Sequence, residues 1–299
     1  MKKIIILAFI FVFASLALYV CWSIFLKKPS REISFSIKSG DSTPQIAKNL
    51  QKEHAINSPL LFSLYIYQRH WYLQEGVYKI TTNMNMLGIA KIIKEGDAQE
   101  YLVTIPEGWR LTQIDELLSK RKIIKQGELI KVASSDEGYL FPDTYRFPLG
   151  ITANGVRDAM IENFNKQIKG LNVTRNDLII ASIVEREAKF DEDRAQIAGV
   201  YWNRMDKGMR LDADPTIQYA KGSWEPITRS NYQNVDSSYN TYLHDGLPPG
   251  PICNPGLKSI EATLHPEKNG WLYFFHKDDG RAVYSETLEE HENNIQKYQ

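Results

Sequence analysis

Two glutamates, Glu185 and Glu187, close an apolar segment, Leu178 to Val184, that reads as a buried helix. On a 3.6-residue period Glu187 shares the face of Ile180, Ile183 and Val184, and Glu185 shares that of Leu178, Ala181 and Ser182. Neither is plainly a solvent face. Both carboxyls sit near the helix C-terminus, where the macrodipole opposes further negative charge, and apolar burial acts in the same direction. A glutamate with its ordinary pKa of about 4.3 is protonated in only about one molecule in 500 at pH 7. Roughly 3 kcal/mol of extra cost on the anion raises that pKa to about 6–7. A carboxyl held in this way beside a saccharide groove can protonate a glycosidic oxygen. The same residues admit a structural reading, in which the glutamate pairs with Arg186 or Arg204 or is solvated at a frayed helix end.

Other chemistry is weakly supported. Cys253 and His265 could form a thiol–imidazole pair, but Cys253 lies between prolines and no helix N-terminus is evident to activate it. The chain has two cysteines and six scattered histidines, with no CxxC and no His pair at i, i+4. No metal or cofactor is expected.

The elements that must position Glu187 can be read around it. Thr174 to Asp177 has the form of a helix start, with an acidic residue three positions after the cap. A second helix, opened by Asp191 and Asp193, carries Ile197, Val200, Tyr201, Arg204 and Met205 as a stripe and is closed by Gly208. The loop Gly246 to Gly256 is too rich in Pro and Gly for a helix or central strand, and its prolines make it a stiff wall for a groove. Trp271–Phe275 and Ala282–Tyr284 read as a hairpin turning at Asp278-Asp279-Gly280, and a final helix runs over 288–298.

Upstream, Glu32–Ile37, a turn at Gly40-Asp41 and a helix over Thr43–Lys52 form a strand–Gly–helix unit. Tyr101–Ile105, Gly108 and Leu111–Arg121 repeat it, with Gln and Ile five and six residues after each glycine and Leu ten after. A further helix is expected over Gly155–Lys169.

The 299 residues suffice for two modest domains. Composition is that of a folded protein, and 36 basic side chains balance 36 acidic ones. No clustered basic surface is visible, which argues against nucleic acid as the main partner. Ile4 to Leu26 carries no charge and as a helix would span about 34 Å, enough for a hydrocarbon core of roughly 30 Å. Its length and its Phe25-Leu26-Lys27-Lys28 ending favour an uncleaved anchor over a signal peptide. Lysines on both flanks leave the orientation undecided.

One series of motifs goes further. Ala181-Ser182-Ile183-Val184-Glu185-Arg186-Glu187 resembles the active-site segment of the endolytic murein transglycosylases, the MltG or YceG-like family. The resemblance extends, in order, through Tyr201–Met205, Leu211–Thr216, Tyr239–Tyr242 and Gly246–Ile252, and upstream to Gly138–Tyr145. His265-Pro266 and Leu272–Phe275 fit as well. Ile37–Ser42 with Ile46-Ala47 resembles the opening of a LysM-type carbohydrate-binding module. The resemblance implies an α+β chain with a cytoplasmic tip and transmembrane anchor over 1–30, a LysM-like module over 31–100 and a catalytic domain over 101–299. It implies a lytic transglycosylase of the cytoplasmic (inner) membrane, with the catalytic domain outside the cytoplasm. Such an enzyme cuts the β-1,4 bond between N-acetylmuramic acid and N-acetylglucosamine and leaves 1,6-anhydro ends. Peptidoglycan strands are the implied substrate, and penicillin-binding proteins of wall synthesis the implied partners. Glu187 falls at the family's catalytic position and Tyr242 at its active-site tyrosine. Asn203, Arg204, Asp214, Thr216, Asn240, Pro248 and Pro249 fall along the implied substrate site, with Asn203 and Arg204 as supports. Ala188 departs from the Thr, Ser or Gly common after the glutamate, which removes a hydroxyl contact. Asp212 and Gln218 fall at variable positions and take no role. A second reading remains beside the enzyme: a glycan-binding protein without catalysis.

Overall fold

In segment 32–37 every second residue is apolar, and Ile33, Phe35 and Ile37 turn inward while Glu32, Ser34 and Ser36 face solvent. This strand belongs to a chain whose computed structural model describes residues 2–25, 29–38, 40–96 and 100–298, without the side chains of residues 2–9 and 16. The fold is α+β, and the chain divides into two units. The first comprises residues 1–102 and 146–151, the second 103–145 and 152–299.

The first unit begins with helix α1 (Lys2–Phe25) and strand β1 (Glu32–Ile37). Helix α2 (Thr43–Lys52) starts behind Ser42 with a proline in its first turn, and α3 (Pro59–Gln68) is capped by the Ser58 hydroxyl, which accepts from Leu61 N. Strand β2 (Gly76–Thr81) pairs antiparallel with β1, from Glu32 opposite Thr81 to Ile37 opposite Gly76. Helix α4 (Met86–Glu95), capped by Asn85 and ended at left-handed Gly96, closes the core around Phe35, Leu50, Phe62, Tyr78 and Ile89. Burying each such side chain contributes about 1.5–3 kcal/mol. The expected anchor over Ile4–Leu26 falls partly outside the described residues, as do Lys27, Lys28 and Ser39. Among the described residues no helix is long and apolar enough to cross a membrane.

Strands β3 (Glu100–Thr104) and β4 (Thr144–Pro148) form a two-stranded sheet of their own. Between them lie α5 (Leu111–Lys120) and α6 (Glu128–Ala133). Residues 146–151 return to the first unit, as β4 pairs with β3 some forty residues earlier in the chain.

The second unit is mainly helical. Helix α7 (Ala153–Gln167) starts two residues earlier than expected, because Thr152 caps it by accepting from Gly155 N. Helix α8 (Arg175–Glu187) opens with the expected reciprocal box between Thr174 and Asp177 and buries every residue from Leu178 to Val184. Helix α9 (Asp191–Asp206) packs on it, then come α10 (Asp214–Ala220), α11 (Asn231–Asn234) and α12 (Leu257–Leu264). Helix α12 packs on both α8 and α9. The hairpin β5 (Tyr273–His276) and β6 (Ala282–Ser285) turns at Gly280, followed by α13 (Leu288–Tyr298).

Both repeated turn glycines are left-handed, Gly40 at φ 83° and Gly108 at φ 73°. At Gly108 a Cβ would also lie 3.2 Å from Nη1 of Arg186, so this turn sits tightly against the end of α8.

Candidate active site

Helix α8 delivers its two glutamates to different surroundings. Glu185 accepts from the Gly256 backbone N at 3.1 Å and the Ser259 hydroxyl at 2.7 Å, with Arg194 Nη1 at 3.4 Å. It ties α8 to the start of α12. Glu187, half-buried as a residue, accepts one hydrogen bond, from the Tyr201 hydroxyl at 3.1 Å. Burial of its carboxyl, reinforced by the Asp214 carboxylate, pushes its pKa up to about 7, against the opposing pull of Tyr201, Arg204 and Arg186. The two carboxyls therefore differ in role through their environment rather than their type.

Tyr201 comes from the core stripe of α9 and is itself buried, with its ring edge-on to Phe274 at 6.0 Å. Burial first, and then the neighbouring Glu187, keep its phenol protonated. Its hydroxyl is a fixed donor that steers the Glu187 carboxyl. Sequence reading places Tyr201 in the core, since its alignment with buried residues hides the direction of its hydroxyl.

Tyr242 donates from its hydroxyl to Asp214 Oδ1 at 2.6 Å, and its ring lies 4.4 Å from that of Tyr232. Burial and this bond to a carboxylate hold the Tyr242 proton in place. Asp214 thus meets Tyr242 by a hydrogen bond and Glu187 through its charge.

Asn203 Nδ2 donates to the Asn269 and Trp271 carbonyls and to Asn269 Oδ1. Arg204, buried, donates to the Leu272 and Leu211 carbonyls at 2.6 and 2.7 Å and pairs with Asp212 at 3.5 Å. Thr216 is fully buried, its hydroxyl bonded to the Ala213 carbonyl and facing Thr241 Oγ1. Asn240, also fully buried, donates to the Tyr232 and Val235 carbonyls, while its Oδ1 accepts from Tyr242 N. These four side chains are committed to protein partners: Thr216 and Asn240 hold the segments that carry Asp214 and Tyr242, Arg204 joins Leu211 to Leu272, and Asn203 holds the chain before β5. Pro248 is buried, whereas Pro249 is exposed and its carbonyl accepts from Arg175. Ala188 caps α8 and packs against the core that α8 and α9 share.

The thiol of Cys253 is buried and donates to the Ser182 carbonyl at 3.2 Å. Burial, then Glu185 and Glu137, raise its pKa far above that of a nucleophilic thiol. Next to it, Asn254 reads in the sequence as one more loop residue. Its Oδ1 accepts from Gly138 N and Leu140 N at 2.8 and 2.9 Å, while Nδ2 donates to the Trp109 carbonyl and Glu137 Oε1, both at 2.9 Å. Among the described residues no group of His, Cys, Asp or Glu side chains could hold a metal ion.

Tyr201→Phe should raise the Glu187 pKa further, since the phenol lowers it. The upper limb of the pH–rate profile would move to higher pH by up to about one unit, with kcat reduced through looser orientation of the carboxyl. An unmoved limb would show that the phenol does not act on Glu187.

A family profile described as the YceG-like family matches residues 35–297. A Bacillus subtilis protein named endolytic murein transglycosylase is 33% identical, the match covering 91% of this chain and 86% of the relative. A Streptococcus pneumoniae protein of the same name is 29% identical over 88% of this chain and 58% of its own length. A crystal structure of a yceG-like protein from Listeria monocytogenes superposes with a TM-score of 0.57 at 33% identity, covering 89% of this chain and 99% of that one. The chain belongs to the YceG-like family.

Proposed function

We propose that the chain is an endolytic murein transglycosylase that cleaves the β-1,4 bond between N-acetylmuramic acid and N-acetylglucosamine within peptidoglycan strands. The observation that carries this reading is a single carboxyl, Glu187, burdened by burial and by Asp214 so that it stays half-protonated at about pH 7. Relatives bearing that enzyme name match most of the chain.

The chemistry needs one carboxyl acting twice. Protonated Glu187 gives its proton to the bridging oxygen as the bond to the muramoyl C1 breaks. The resulting carboxylate takes the proton of the muramoyl 6-hydroxyl as that oxygen bonds C1. The proton is thereby returned, no water is consumed, and a 1,6-anhydro end remains. A hydrolase would need a second carboxylate to activate water or to act as nucleophile. Asp214, with its Oδ1 held by Tyr242, is assigned neither task. Instead its negative charge favours both the protonated acid and the cationic character that develops at C1. Tyr242 fixes Asp214 and lines the site.

Finer parts of the reading rest on the sequence. The apolar run Ile4–Leu26 supports a single-pass anchor in the cytoplasmic membrane, with the catalytic unit outside. The strand–helix–helix–strand order of β1, α2, α3 and β2 supports a LysM-like module. Cutting within strands near the membrane would limit the length of nascent glycan, beside the penicillin-binding proteins that make it.

Mass analysis of products from denuded and peptide-bearing peptidoglycan tests the reading. Internal cuts that yield ends one water lighter than hydrolytic ends are expected. Reducing ends only, or binding with no cleavage, would overturn it in favour of a hydrolase or a glycan-binding protein.

A further inference from the structure

Arg186 sits between the two glutamates in sequence, yet it pairs with neither. Its guanidinium stacks over the Trp224 ring at 4.1 Å, and that of Arg110 lies over the same ring at 5.2 Å. Two like charges are thus gathered on one indole. The Nε atoms of both arginines are buried without a hydrogen-bond partner. Carboxyls act on them through charge alone, Glu137 on Arg110 and Glu187 on Arg186, and among the described residues no side-chain hydrogen bond to either carboxyl holds the guanidinium ends. Such an arrangement costs stability unless something else uses it: guanidinium groups repel, and an unpartnered buried N–H forfeits its bond to water.

The arrangement is also held in place. Trp224 Nε1 donates to Gln113 Oε1 at 2.8 Å, Gln218 Nε2 donates to the Trp224 carbonyl at 3.1 Å, and Arg110 donates to the Gly222 carbonyl. Gly108 leaves room for Arg186 on the other side. Gln218 lies on α10, the helix that starts at Asp214, so one short rod of about 10 Å links the acid site to the arginine pair. Arg186 is adjacent to Glu187, with Cα atoms about 3.8 Å apart, and its charge is felt at the Glu187 carboxyl.

We propose that Arg110 and Arg186, set on Trp224, form a binding site for a carboxylate carried by the muramoyl residue whose C1 is attacked. This rests on the transglycosylase reading and deepens it. The muramoyl sugar differs from its neighbour by a lactyl substituent at O3. In denuded strands that substituent ends in a carboxylate, and in peptide-bearing strands the carboxylates belong to the attached peptide. A planar guanidinium pair fits a carboxylate by charge-assisted, directional hydrogen bonds. Binding there would fix which of the two alternating sugars presents its C1 to Glu187, and so the register of the cut.

The test compares three strand preparations: denuded with free lactyl carboxylates, denuded with those carboxyls converted to neutral amides, and peptide-bearing. Formation of 1,6-anhydro ends is followed as kcat/KM. The wild-type enzyme should prefer a carboxylate-bearing strand over the neutral amide by about tenfold or more at low salt, and by less at high salt. Preference for denuded strands assigns the site to the lactyl carboxylate, and preference for peptide-bearing strands assigns it to the peptide. In Arg110→Gln and Arg186→Gln the ratio should fall towards about one, while Arg186→Lys retains part of it. Because Arg186 also affects Glu187, rates alone would mislead. The ratio between two substrates of one variant cancels that effect. Strand binding to Glu187→Gln, measured in parallel, reports the same ratio without turnover. Anhydro ends formed with no charge preference, or a preference that survives both Arg→Gln changes, would overturn the site while leaving the function intact. Absence of anhydro ends from every strand would overturn the function instead, and the binding ratio would still decide the site.

Discussion

Glu187→Gln is expected to lower strand cleavage by at least about 1,000-fold while making the folded protein more stable above pH 7. The loss of rate follows because one group serves as acid and then as base, and general acid–base catalysis by a single positioned group contributes roughly 10²–10⁴-fold. The gain in stability follows from linkage. Folding raises the Glu187 pKa from an ordinary 4.5 to about 7. Between those values the folded state binds more protons than the unfolded one, so wild-type stability falls as pH rises through that window and levels off above it. The full difference corresponds to at most about 3 kcal/mol, or on the order of 5–10 °C in melting temperature for a unit of this size. Gln carries no charge and its amide oxygen still accepts from Tyr201, so the variant escapes the fall. Glu137 is shifted upward in the same sense, by burial, but it is present in both proteins and cancels. Thermal melts of wild type and variant should therefore coincide near pH 4.5 and separate above pH 7, with the variant higher. Equal melting temperatures at pH 8 would mean that water reaches the carboxyl freely, and a variant that keeps wild-type cleavage would remove Glu187 from the mechanism.

This trade of stability for chemistry explains what the sequence makes legible. Helix α8 is readable because its box at Thr174 and Asp177 is local and its apolar run is unbroken. The difference between Glu185 and Glu187 is not readable, because two of the donors that hold Glu185 arrive from Gly256 and Ser259, about seventy residues away. Tyr201 hides in a core stripe for the same reason: periodicity reports which face a residue occupies, not where its hydroxyl ends. Helix α12 is missed because the Pro/Gly run before it reads as loop, although its own buried Ser259, Ile260 and Thr263 pack into the core. Motif resemblance finds Asp214, Thr216 and Asn240 together but cannot separate a side chain facing the site from one buried beneath it. The structure makes that separation, since Asp214 reaches Tyr242 while Thr216 and Asn240 are turned into the protein.

The largest effect on stability is expected from Asn254→Ala, a change far from any reacting atom. Asn254 is fully buried and uses both ends of its amide. Removing it leaves the Gly138 and Leu140 backbone N–H groups with no acceptor in a dry loop. The Trp109 carbonyl still accepts from the Asn254 backbone, and Glu137 still accepts from Leu111 N, so two orphaned donors dominate the cost. At about 1–3 kcal/mol for each buried unsatisfied group, the loss should be about 4 kcal/mol. Gly138 cannot rearrange to compensate, because it sits at φ 90° and a Cβ there would lie 2.6 Å from Pro251, which marks how closely the two loops meet. Asn254→Asp separates the two halves of the argument. It restores acceptors for both N–H groups but sets a carboxyl against Glu137 Oε1 and the Trp109 carbonyl, where a donor stood. That variant should be damaged more at pH 8 than at pH 5, where one of the two acids can supply the missing proton. Denaturant unfolding at both pH values measures the differences. A loss below about 1 kcal/mol for Asn254→Ala would show that water takes over the amide's bonds. A pH-independent loss for Asn254→Asp would show that Glu137 does not face the amide nitrogen.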